Sequence, residues 1–437
     1  MRFVLPLSSA ALLALAGAAA AQEPQAPAAR NDDTPGAVKP PDAEAQAALM
    51  VKKDEKKEEH WYDKIKIRGY IQVRYNRVTK NDAIKNAQGD SSIGDNNGFI
   101  IRRLRPTIQG EYDWLAFVIQ PDLVSSAGTQ FHVAVVREAY ADIFLDRAKE
   151  FRIRIGQSKL PFGFENMQSS MNRIALDRAD GLNSAFKDER DIGAFFYWAP
   201  KHIRARFKAI ADAGLKHSGD YGVIGLGAVN GQSANTREVN DNRTLVGRVA
   251  WPFDFGGQFV EVGAGAYSGR VVVSDCSTGV TGCPTNTPPR FFDYRDQRAQ
   301  VYLSVFPQPL GLYAEYNIGR GPQLQFDETR RDFIDEHDLH GGHATITWRF
   351  QHTPVGEIWP YLRGSMYDGA KKFEVNAPAY HVRELEAGVE WQPSKWVEVT
   401  ICGVTTNRSV PSTSLTSAPR SAQEKGELVR FQLQGNF

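Results

Sequence analysis

ELVRFQLQGNF, residues 427–437, is the last stretch of the chain. Phe437, Gly435, Leu433, Phe431 and Val429 are apolar or small, and Asn436, Gln434, Gln432 and Arg430 between them are polar. A repeat of two marks a β-strand with one apolar and one polar face. In a soluble sandwich the apolar face turns inward. In a membrane barrel it turns outward to lipid, and the polar face lines water. The tail fits both, so the choice rests on the rest of the chain.

The N-terminus chooses the compartment. MRFVLPLSSAALLALAGAAAAQ carries Arg2, an apolar run from about Ala10 to Ala16, and Ala19, Ala20 and Ala21 before Gln22. This is the pattern of a secretory signal peptide, residues 1–21, with a small-residue cleavage site. The run is too short for an uncleaved anchor, and no later segment offers about twenty apolar residues in a row. Of the 52 Lys and Arg, Arg2 leaves with the leader, so 51 basic residues face 51 acidic ones. That balance lacks the basic excess of a nucleic-acid binder. With 38 Gly and 24 Phe, the composition suits a turn-rich all-β chain. Cys276 and Cys283 bracket the loop CSTGVTGC and are expected to form a disulfide in an oxidising compartment, whereas Cys402 sits alone in a strand-like run.

Residues 22–60 differ in kind from the rest of the chain. EPQAPAARNDDTPGAVKPP is rich in Pro, Ala and charge and is expected to be disordered. DAEAQAALMVKKDEKKEEH has helix-forming composition, and its charge run reads as a solvated face of a periplasmic segment. From Trp61 to Phe437 short alternating segments succeed one another. IKIRGYIQVRYNRV places Arg68 and Arg74 on its polar face; RRLRPTIQGEY does the same for Arg103 and Arg105, and DQRAQVYLSVF for Arg298. WPYLRGSMY and WVEVTICGV repeat the pattern.

Short turns at EYDW, DRAKE, WPFDFGG, PQPLG and WQPSKW alternate with long polar loops. The long ones are expected near residues 79–97, 159–190, 231–242, 272–292, 319–337, 368–379 and 405–426. Short periplasmic turns and long external loops are the habit of outer-membrane barrels. The segments count to about sixteen strands. That even number holds if PKHIRARFKAIADAGLKHSGD, residues 200–220, is a turn insertion rather than another hairpin arm. The last strand is then expected to close against the first, leaving no edge unpaired in lipid, with Phe437 at the membrane interface.

Several stretches carry a family resemblance. They are FIIRRLR (99–105), VREAYADIFL (136–145), IRIGQSKLPFGFE (153–165), YGVIGLGAVNGQ (221–232) and GRVAWPF (247–253). Together they resemble the phosphate-selective porins O and P, from about Ile65 to the end of the chain. The resemblance implies an all-β transmembrane antiparallel barrel of about sixteen strands, usually a homotrimer, in the outer membrane of a Gram-negative bacterium. It implies a third loop folded inward to narrow the channel, an arginine ladder down the lumen and lysines at the constriction. The terminal Phe437 resembles the signal that the outer-membrane assembly machinery reads.

By alternation Arg68, Arg74, Arg103, Arg105, Arg152, Arg154, Arg248, Arg298, Arg363 and Arg430 face the lumen. Lys159, Arg173, Arg178 and Lys187 are the third-loop candidates. A guanidinium offers a rigid fork of donors that matches phosphate oxygens, and rings of such cations select anions. Acidic residues share that face: Glu111, Glu138, Glu261, Glu315, Glu384, Glu386, Glu390 and Glu398. The third loop adds Glu165, Asp177, Asp180, Asp188 and Glu189. Some arginines are therefore expected in ion pairs across the wall.

HDLHGGH (337–343) is no metal site, because alternation sends His340 and His343 to opposite faces. GLGAVNG lacks the Lys of a phosphate-binding loop, and no GxSxG or Cys–His signature is present, so neither catalysis nor a cofactor is expected. The reading is a passive outer-membrane channel, not an enzyme, for small solutes and foremost for anions such as phosphate or polyphosphate. Its partners are membrane lipid, small anions, further copies of the chain and the assembly machinery, and not nucleic acid. A general or differently selective porin, or a plugged structural or surface-binding barrel, is the alternative.

Overall fold

The computed structural model describes residues 60–82, 84, 98–127, 130–185, 190–275, 290–327, 331–374, 377–411 and 421–437. The signal peptide, residues 22–59, the Cys276 and Cys283 pair, and Lys187, Asp188 and Glu189 lie outside them.

A short 3-10 helix, Trp61–Lys64, leads into sixteen strands. They are β1 (Ile65–Lys80), β2 (Gly98–Glu111), β3 (Leu115–Ala127), β4 (Gln130–Phe144), β5 (Phe151–Lys159), β6 (Arg190–Trp198), β7 (Ile224–Val229) and β8 (Thr244–Asp254). Next come β9 (Phe259–Asp275), β10 (Arg290–Val305), β11 (Leu310–Asp327) and β12, which runs Arg331–Trp348 and resumes at Phe350–Thr353. The last four are β13 (Gly356–Ala370), β14 (Ala379–Ser394), β15 (Val397–Pro411) and β16 (Ser421–Asn436). Each strand pairs antiparallel with its neighbours in sequence, and β16 closes on β1 in a register from Tyr70↔Asn436 to Lys80↔Glu427. Closure pairs every strand, which a sheet in lipid requires. No helix among the described residues is long and apolar enough to cross a membrane.

The two faces settle the ambiguity of the tail. Val429, Phe431 and Leu433 are 44%, 36% and 42% exposed, whereas Arg430, Gln432 and Gln434 are 2%, 6% and 3% exposed. Apolar residues point out and polar residues in, as a lipid-facing wall demands. Phe437 completes the seam: its backbone exchanges hydrogen bonds with Gly69 (3.0 and 2.7 Å). Its ring lies where a Cβ on residue 69 would stand, 2.6 Å from Cζ, which is why that position is Gly.

Connections at one end are short, at 112–114, 145–150, 255–258, 306–309, 354–355 and 395–396. The exception at that end is 199–223, which contains the helix α1, Lys201–Asp212. Residues 200–220 are thus a turn insertion and the strand count stays at sixteen. Pro200 precedes the helix, Ile203, Phe207 and Ile210 form its buried stripe, and Gly214 at φ +67° ends it. Two expected loops are corrected. Residues 319–337 are mostly strand, since β11 runs to Asp327 and β12 starts at Arg331; β15 and β16 likewise extend into 405–426. The polar residues at those positions are strand residues.

Candidate functional site

The described part of the third external connection, residues 160–185, enters the barrel. Its entry depends on Gly163 (φ +74°), where a Cβ would stand 2.4 Å from Oε1 of Glu315 on β11. Without that atom, the backbone N–H of Phe164 (3.1 Å) and of Glu165 (3.1 Å) both reach the Glu315 carboxylate.

Beyond that point the loop is held by its acids. Glu165 accepts from Arg363 of β13 (2.9 Å) and from the Ala179 N–H (3.0 Å). Burial alone would raise its carboxyl, but Arg363, His343 and Arg173 hold it down at about 2. Asp177 meets Arg74 of β1 (2.6 Å), Arg430 of β16 (2.9 Å), Arg102 (3.6 Å) and Arg103 (3.9 Å). Against the effect of burial, these arginines keep it well below the usual carboxylate range. Asp180, in the one-turn helix Asp180–Asn183, pairs with Lys371 (2.7 Å) and Arg408 (3.4 Å). Ser170 takes hydrogen bonds from Arg105 (3.0 Å) and, through its carbonyl, from Gln72 (3.1 Å). Arg298 donates to Ser184 (2.8 Å).

The adjacent pair Arg102 and Arg103 both reach Asp177 because of a bulge. Gln72 pairs with Arg103 and Val73 with Ile101, leaving Arg102 as the extra residue.

Behind this clamp the lumen is packed. Phe164, Ile174, Ala175 and Leu176 of the loop share one core with Ile210 and Leu215 of the 199–223 insertion. Tyr302, Phe306, Tyr313, Trp359 and Tyr361 of the β10–β13 wall join it, with Ala250 of β8 and Cys402 of β15. The insertion is also pinned by charge: Lys216 Nζ lies 2.5 Å from Glu390 and 3.4 Å from Glu398. Burial would lower the Lys216 ammonium, but the two glutamates raise it, so it stays charged.

The other side of the lumen is open. A cavity of about 840 Å³ runs along β1–β6, bounded inward by Met167–Asn172 of the third loop and His217–Tyr221 of the insertion. Nine of its lining residues are Lys or Arg and four are Asp or Glu, so its field is positive. Among the described residues Lys66 and Arg68 have no ion-pair partner; both lie on the exposed lower part of β1. Arg152 is near Asp142 (3.8 Å) and Asp220 (3.9 Å). Arg154 grips Asp142 through two bonds (2.7 and 2.8 Å) and stacks on Tyr140. Arg190 holds Glu138 (2.7 Å), and Lys159 donates to the Met167 carbonyl (2.9 Å). Burial, together with Arg68 and Lys159, pushes the His217 imidazole down to about 4, so it is neutral at pH 7.

The structure thus divides the residues expected from sequence. Arg68, Arg152, Arg154 and Lys159 line the open cavity. Arg74, Arg103, Arg105, Arg298 and Arg363 hold the third loop. Arg173 is buried within that loop, and Arg178 donates to Asn166 (3.1 Å). His343 points inward near Glu165, and His340 outward near Asp368. Sequence reasoning missed Arg102, Arg190, Arg408 and Lys216. Arg102 breaks the alternation at a bulge, Arg190 and Arg408 sat inside expected loops, and Lys216 belongs to the segment without strand periodicity. The doubled Arg of RRLR was the one usable signal.

The family model for phosphate-selective porin O and P matches residues 71–437. No match was found among curated proteins. Among solved structures, the chain is similar to the outer membrane channel DcaP of Acinetobacter baumannii, at 12% identity and TM-score 0.52 over 85% of this chain and 97% of that one. It is also similar to the anion-selective porin from Comamonas acidovorans, at 12% identity and TM-score 0.51 over 85% and 99%. OmpF of Salmonella typhi, solved with daunomycin, matches at 11% identity and TM-score 0.51 over 85% and 97%. At such identities these likenesses speak for the fold alone.

Proposed function

We propose a function from one premise: the chain belongs to the phosphate-selective porin O and P family. It is a channel protein of the Gram-negative outer membrane, built as a closed sixteen-stranded barrel. The proposed activity is passive diffusion of small anions, phosphate or polyphosphate among them, along the β1–β6 wall. The carrying observation is the charge of that cavity, with nine basic against four acidic side chains. Lys66 and Arg68 attract the anion at the short-turn mouth, and Arg152, Lys159 and Arg190 continue the positive lining. A row of weak sites passes an ion better than one tight site.

A second reading, a plugged barrel that does not conduct, draws support from the core shared by the third loop and the 199–223 insertion. Reversal potential in a planar bilayer under a KCl gradient separates the two. The channel reading expects anion preference and chloride current reduced by added phosphate; absence of conductance in folded protein would favour the plug.

The proposed partners are lipid on the outer wall, two further copies in a homotrimer, and the assembly machinery acting on Phe437. Residues 1–21 are proposed to be removed, residues 22–60 to lie in the periplasm, and residues 61–437 to be the barrel. Sequencing the N-terminus of purified protein tests the first of these.

A further inference from the structure

The inner boundary of the open cavity is not barrel wall. It is made by two inserted segments, one from each end of the barrel, that bond to each other. Gln168 of the third loop donates to the Lys216 carbonyl (2.8 Å), and Asn172 donates to the His217 carbonyl (2.9 Å). The segment from the short-turn end is fixed and not a swinging lid. Leu215 is fully buried, the Lys216 ammonium lies between Glu390 and Glu398, and Arg349 donates to the Ala213 carbonyl (2.9 Å). Its next residues, His217–Tyr221, line the cavity that Arg68 lines from β1.

We infer that residues 213–221 form a second constriction, on the periplasmic side of the third loop, and that His217 is a specificity-determining residue of the path. This rests on the reading that the β1–β6 cavity is the permeation path. A solute that has passed Lys159 and Met167 then meets a gap walled by His217 and Ser218 on one side and by β1 on the other. The neutral ring adds bulk and a hydrogen-bonding nitrogen to that gap without cancelling the charge of Arg68. The short turns elsewhere at this end, of two to six residues, place nothing comparable over the lumen.

The test is single-channel conductance of H217C, exposed from the periplasmic side to an anionic and, separately, a cationic methanethiosulfonate reagent. Wild type, with its own cysteines, gives the baseline. Both labels are expected to lower conductance by at least about twofold, and the anionic label to reduce anion preference further. Labelling confirmed by mass with current unchanged would overturn the inference, as would failure of the thiol to react. A second variant replaces residues 200–221 by a short turn. Raised conductance supports a constriction, unchanged conductance contradicts it, and if this variant does not fold the cysteine experiment decides. Failure of the underlying reading looks different: the wild type then carries no current.

Discussion

The two sides of the lumen are built from the same residue types and do opposite things. Where the third loop crosses the barrel, Arg363 of β13 and Arg430 of β16, with Arg74 of β1 and Arg102 and Arg103 of β2, meet its acids, and an apolar core fills the space behind it. In the cavity along β1–β6, lysines and arginines outnumber the acids beside them nine to four. An inward-facing arginine is therefore not by itself an ion site. What decides its role is what stands opposite: Arg74 and Arg363 meet third-loop carboxylates, whereas Arg68 has no ion-pair partner among the described residues. A buried pair broken on one side costs several kcal/mol, whereas an exposed charge costs little to change.

The sharpest way to break the comparison is Asp177→Asn. It leaves Arg74, Arg102, Arg103 and Arg430 without their shared anion. The expected loss is roughly 3–5 kcal/mol of stability, read as a lower temperature of heat-modified migration in detergent, with a larger conductance as the loop leaves the wall. Unchanged migration and conductance would mean that the clamp does not hold the loop.

Acid makes the same point without mutation. Glu165 is held at about 2 in the fold against an ordinary 4.5. A depressed carboxylate stabilises above its unfolded value and loses that contribution as pH falls towards the folded one. The clamp should therefore be complete above pH 4.5 and fade between there and pH 2, a contribution on the order of 3 kcal/mol. Thermal unfolding followed at pH 7, 4 and 2 checks it; a curve flat over that range contradicts it.

Smaller effects separate the two sides by selectivity. Arg68→Gln should lower the anion-to-cation permeability ratio by roughly two- to threefold with little change in stability. Arg298→Gln should do the reverse, loosening Ser184 and the loop tip while leaving the ratio within error. Equal shifts in the ratio for both variants would erase the distinction.

The barrel was legible because lipid outside and water inside impose a period of two on every strand, as in Val429–Gln434. The sixteen-strand count and the closing role of the last strand came from it. Loop lengths were less legible: Gln323 and Glu336 look like loop residues, yet they sit in strands. Arg74, Arg103 and Arg363 lie on the strand faces that meet the third loop, but alternation carries no information about what stands opposite. Asp177 lies 103 residues from Arg74 and 253 from Arg430, and no local pattern links them. The insertion was least legible, because Lys216 and Leu215 take their meaning from Glu390 and Trp359 on the far wall.

The central claim is that anions travel along the β1–β6 wall under the pull of its cations. The most direct measurement is the reversal potential, under a KCl gradient, of the K66E/R68E double variant beside the wild type. The account predicts an anion-preferring wild type and a variant shifted towards or past zero selectivity. Identical reversal potentials, with both proteins folded and conducting, would contradict it.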